Sequence, residues 1–114
     1  MGTIAIKLDP SKMENPDLDL RYLIPERIEE VTKGKVQDDG YDYSSDDTNS
    51  IILFMSSKNP KKDVNAVLEI LKNEKFLDND IYKIGIIAIS DGNAEQEEGY
   101  RVIHPSNYDE EFTL

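Results

Sequence analysis

Two segments, "IILFMSS" at 51–57 and "YKIGIIAIS" at 82–90, are apolar at almost every position. Apolar runs this short and this rich in isoleucine read as strands with little or no wet face. They constrain the fold strongly, because such strands belong in the middle of a sheet and both of their faces need cover. A helix supplies one side. "DVNAVLEILK" carries Val64, Val67, Leu68 and Leu71 at helical spacing, and Asn59-Pro60 reads as its start, giving a helix over about 60–74.

The remaining segments fill out an order. "TIAIKL" at 3–8 alternates Ile4, Ile6 and Leu8 with smaller or polar neighbours, a strand period. A second Asn-Pro pair, Asn15-Pro16, predicts a helix from there to about Lys33, with Gly34 as its stop. Leu20, Ile24, Ile28 and Val31 would share its buried face. Pro25 interrupts that helix; it either kinks it, the favoured reading, or marks its true start. "KVQDDGYDY" at 35–43 reads as a strand with a bulge at Gly40, and "SSDDTNS" as a turn. "FLDND" is a loop, "YRVIH" at 100–104 a last short strand, and the chain from about 105 a loose tail.

The order is β-α-β-β-α-β-β, which predicts an α+β two-layer sandwich with a mostly antiparallel sheet. Its first six elements match the ferredoxin-like split pattern, with an extra C-terminal strand. The usual strand order of that pattern is 4-1-3-2, and the fifth strand would hairpin onto the fourth. Residues 1–114 form a single domain. The far face of the sheet has three readings: cover by the N-terminal loop and tail, a surface for homodimerisation, or central strands that are simply apolar.

Charge is the second constraint. The chain has 24 acids and 13 bases, a net charge of −11. Residues 36–57, 84–100 and 102–114 hold 12 of the acids and no lysine or arginine. The rest of the chain is nearly balanced. A chain of this charge repels nucleic acid, which is bound by replacing counterions with Lys and Arg. It attracts a basic protein surface by long-range steering. No apolar run reaches the roughly 20 residues of a membrane helix. The start "MGTIAIKLDP" carries neither a signal-peptide pattern nor, with Ile6 where Ser or Thr is needed, a myristoylation pattern. With no cysteine in the chain, a cytoplasmic location is the expectation.

"DDGYDYSSDDTNS" at 38–50 concentrates five of the aspartates. As a calcium loop it fails in every frame. From Asp38 the third position is Gly40 and the twelfth Asn49; from Asp42 the twelfth is Leu53; from Asp46 the sixth is Ile51. The segment from Asp91 has Gln96 at the sixth position and fails too. Two readings stand: a solvated hairpin whose charges discourage edge pairing, and a recognition surface. In the second, Asp38, Asp39, Asp42, Asp46 and Asp47 accept hydrogen bonds from a basic partner, while Tyr41 and Tyr43 supply rigid contact area. Alternation would put both tyrosines on one face and Asp42 on the other, and core packing is the competing role for the rings.

No catalytic constellation is present in the pattern. His104, the only histidine, would need Ser90 and Asp91 beside it to build a triad, and no elbow motif supports this. Neither a phosphate-binding glycine loop nor cysteine or paired-histidine metal ligands occur, so no catalytic residue, metal or cofactor is expected.

The run "LDLRYLIPERIEEVTKGKVQDDGYDY", followed by "IILFMSS" and "DVNAVLEILK", resembles the small acidic immunity proteins of bacterial polymorphic-toxin and contact-dependent inhibition systems. The resemblance lies in order, size and charge over most of residues 3–104, and no motif carries functional residues across. It implies a non-enzymatic protein that binds and neutralises a cognate toxin, often a nuclease with a basic cleft. The rival expectation is a small-molecule-sensing ferredoxin-like module acting as a homodimer, an argument from fold analogy.

Overall fold

The computed structural model describes residues 2–15, 17, 19–44, 49–91, 99–106 and 108. Five strands, β1 (Gly2–Leu8), β2 (Val36–Tyr43), β3 (Ile51–Ser57), β4 (Ile86–Ser90) and β5 (Arg101–His104), alternate with three helices, α1 (Leu20–Thr32), α2 (Pro60–Asn73) and α3 (Ile81–Ile84). A single 3-10 turn, Pro10–Lys12, follows β1. The strands form one antiparallel sheet in the order β2-β3-β1-β4-β5. The fold is therefore α+β, with β2 and β5 at the two edges.

Both long helices cover the same face of the sheet. Ile4, Ile6 and Leu8 of β1, Leu53 and Met55 of β3 and Ile87 and Ile89 of β4 point to that side. There they meet Leu20, Ile24 and Ile28 from α1 and Val64, Val67, Ile70 and Leu71 from α2. Each such side chain taken from water contributes about 1.5–3 kcal/mol. The helix face expected to end at Val31 ends instead at Thr32; Val31 is exposed. Thr32 continues the spacing of four, and its hydroxyl bridges two elements. It donates to the Ile28 carbonyl at 2.7 Å and accepts from the Val36 amide at 3.2 Å.

The far face of the sheet is also buried. Ala5, Ile52 and Phe54 form a second cluster to which, among the described residues, no helix contributes, and Tyr100 packs against it. Thr3, Ala88 and Ser90 are buried as well. This explains why the central strands lack polar alternation.

Three local expectations are corrected. α1 begins at Leu20, several residues after Asn15. Asn15 is spent elsewhere: its amide donates to Asn79 Oδ1 at 2.9 Å, and its carbonyl accepts from Asn79 Nδ2 at 2.8 Å. That exchange ties the β1–α1 connection to the turn after α2; Pro16 lies outside the described residues. The alternative that the helix starts at Pro25 fails too, since Pro25 lies buried inside it. The third correction concerns 82–90, expected to be all strand. Ile81–Ile84 form the short helix α3, started by Asp80, whose carboxylate accepts from the Lys83 amide at 3.2 Å. Gly85 permits the close switch from helix to strand, because a Cβ there would stand 2.8 Å from the Ile81 carbonyl oxygen.

Candidate functional site

β2 is where sequence and structure single out the same residues. It lies at the sheet edge, and every residue after Val36 is exposed. Its pairing with β3 shifts register between Asp38 and Tyr41, so Asp39 and Gly40 oppose Phe54 alone. This is a bulge, and Gly40 supplies it with φ of 97°, a region a side chain disfavours. The Asp38 carboxylate closes the bulge by accepting from the Gly40 amide at 3.0 Å. Glu29 of α1 accepts from the Asp38 amide at 3.2 Å, fastening strand to helix.

The bulge decides where the tyrosines point. Tyr41 pairs with Leu53 and Tyr43 with Ile51, and directly opposed residues share a face. Leu53 and Ile51 belong to the helix-side core. The tyrosines therefore rise on the helix side, at its rim beside α1. Their rings meet edge to face, with centroids 6.1 Å apart and an interplanar angle of 86°. Arg21 of α1 reaches across, its guanidinium carbon 4.7 Å from the Tyr22 ring centre and 5.0 Å from that of Tyr41. Cation–π attraction holds it there. Its pKa is raised, chiefly by hydrogen bonding to Tyr22, against a smaller lowering by desolvation.

The result is a patch of three tyrosines around one arginine. Tyr22, Tyr41 and Tyr43 expose 52%, 40% and 47% of their surface. Among the described residues, all five exposed large hydrophobics lie on α1 or β2, the other two being Leu23 and Val31. Core packing, the competing role for Tyr41 and Tyr43, does not hold at that exposure.

The aspartates divide. Asp38 stands on the tyrosine side, opposite Met55. Asp42 pairs with Ile52 and so stands on the far side, its carboxylate accepting from the Tyr43 amide at 2.8 Å. Asp39 also reaches the far side, where its charge acts on Tyr100. Tyr100 is raised above its ordinary pKa, chiefly by burial and secondarily by Asp39. Asp46 and Asp47 lie outside the described residues. Arg21 and Tyr22 were missed from the sequence. Their signal was position: they directly follow Leu20, the first buried residue of a helix that packs beside β2.

The other sequence candidates do not converge. His104 pairs with Ile87, three residues along β4 from Ser90, about 10 Å at strand rise. Its Nε2 donates to the Tyr82 carbonyl at 2.6 Å, and its ring stacks on Tyr82 at 4.1 Å. Both ring interactions are thus local and packing in kind. Among the described residues no group of three or more His, Asp or Glu is placed to hold a metal ion. Among them, too, no helix is long and apolar enough to cross a membrane.

No family model, no curated protein and no solved structure matches this chain.

Proposed function

We propose that the chain is a non-catalytic binding protein, an immunity protein that captures a basic toxin domain through the rim formed by α1 and β2. The carrying observation is the exposed cluster of Tyr22, Tyr41 and Tyr43 around Arg21, with Asp38 on the same side of β2. Tyrosine and arginine are the side chains that dominate binding hot spots, because they give large contact area at small entropic cost. The net charge of −11 adds steering toward a cationic cleft. The fold is read as ferredoxin-like with additions. Taken from the β5 edge, the first four strands lie as β4-β1-β3-β2, while β5 and α3 are extra elements.

The test is capture from a lysate of the native source, with the intact protein and with the Tyr41→Ala/Tyr43→Ala variant as bait, at low and high salt. A stoichiometric basic protein is expected, weakened by salt, absent from the variant, and harmless to cells only when this chain is co-expressed. Equal capture by both baits, or a partner whose toxicity this chain leaves intact, would defeat the reading.

A further inference from the structure

Four lysines of this acidic molecule face one cavity. Val36 pairs with Ser57, so the α1–β2 turn and the β3–α2 turn lie side by side. Lys33 and Gly34 adopt φ of 55° and 80°, a left-handed pair that reverses the chain in two residues. The reversal brings Lys33 and Lys35 to the same cavity as Lys58 and Lys62. That cavity holds about 480 Å³ and is also lined by Gln37, Ser56 and the first turn of α2. Among the described residues none of these four lysines makes an ion pair. The one carboxylate in the lining, Asp63, accepts from the Ser57 hydroxyl at 2.6 Å and keeps its charge, so the lining carries four positive charges against one negative.

Four like charges around one space repel each other, and an anion entering it relieves all of them at once. The volume falls in the range of small-molecule sites. Ammonium groups act as point charges toward phosphate, and no guanidinium fork for a planar carboxylate lines this cavity. The N-terminal end of α2, with its positive partial charge, borders the same space. Away from the cleft the chain is acid-rich, which disfavours a long nucleic-acid strand over a compact ligand. From the cavity and its four lysines we propose that this cleft binds a small phosphorylated compound, from pyrophosphate to a nucleotide in size. The inference rests on the cleft alone and is independent of toxin binding.

Calorimetric titration of the full chain with inorganic pyrophosphate at fixed ionic strength tests it. Saturable binding at one site is expected, with competition from a nucleoside triphosphate. The Lys35→Gln/Lys58→Gln variant should bind about tenfold more weakly or worse, the loss expected for charge-assisted hydrogen bonds. The Lys12→Gln/Lys72→Gln variant, altered outside the cleft, should bind like the parent. No saturable heat, or equal weakening in both variants, would overturn the site. Tighter binding of a short single-stranded oligonucleotide than of pyrophosphate would overturn the ligand class. Circular dichroism of each variant separates loss of binding from loss of fold.

Discussion

Arg21 shows how a few atoms set the character of a surface. A guanidinium lying against aromatic rings keeps its charge while losing conformational freedom. Tyr41 and Tyr43 are then presented in one arrangement, with less entropy left to lose on contact. Replacing both by alanine should cost about 1–2 kcal/mol, for the lost ring and cross-strand contacts, and leave the chain folded. The same change should abolish partner capture, so denaturant melts still show a folded chain where pull-downs are empty. Gly40 predicts otherwise. Nothing lies within 4 Å of the Cβ that alanine would add there, so Gly40→Ala costs only backbone strain. That strain is about 1–2 kcal/mol for a side chain forced into the left-handed region. Tyr100 adds a pH prediction. Its folded pKa lies above the ordinary value of 10, so the folded chain keeps a proton that the unfolded chain releases. Its contribution is complete below that value and is lost as pH rises through the folded pKa. Alkaline melts of the parent should fall off more steeply than those of Tyr100→Phe.

At the scale of elements, connections matter as much as cores. Thr32 joins the end of α1 to the start of β2 with one hydroxyl. Thr32→Val keeps the shape but strands the buried Val36 amide, and should cost about 1–3 kcal/mol by chemical denaturation. Leu53→Ala, in the middle of the helix-side core, should cost about 2–5 kcal/mol in the same experiment. The elements legible in the sequence were those with a sustained period. β3 spans 51–57 as its composition predicts, and α2 runs from Pro60 to Asn73 as its stripe of valine and leucine predicts. α3 was not legible, because four residues are too few for a helical period to show. Asn15-Pro16 misled because an asparagine can satisfy a distant turn as readily as a helix end, and only tertiary contact decides which. Val31 misled for a related reason: spacings of three and four are equally helical, and a threonine can be buried when both its bonds are made. On β2, alternation was legible and so was the bulge glycine, but the ring contacts with Arg21 depend on how α1 lies beside the strand.

Across the whole molecule, apolar residues fill most of both faces of the sheet, and the charged groups lie mainly on helix surfaces, turns and edges, with Lys7 of the central strand β1 a buried exception. A net charge of −11 on a body with a radius of gyration of 12.6 Å carries self-repulsion, which added salt screens. Melting temperature should therefore rise between dilute buffer and physiological ionic strength, and a fall would show that specific ion pairs outweigh the general repulsion. The bulge in β2 has a consequence for the sidedness of the entire surface. A strand has only two phases, and one inserted residue exchanges them. The bulge absorbs that exchange by setting Asp39 and Gly40 together against Phe54, so Asp38, Tyr41 and Tyr43 all stand on the helix side. Paired one for one without the bulge, the same residues would bring Tyr41 opposite Ile52 and turn both tyrosines toward the side of Phe54 and Tyr100. A single-codon deletion of Gly40 would instead leave Asp39 alone opposite Phe54 and keep the aromatic surface beside α1, with almost no change in composition or charge.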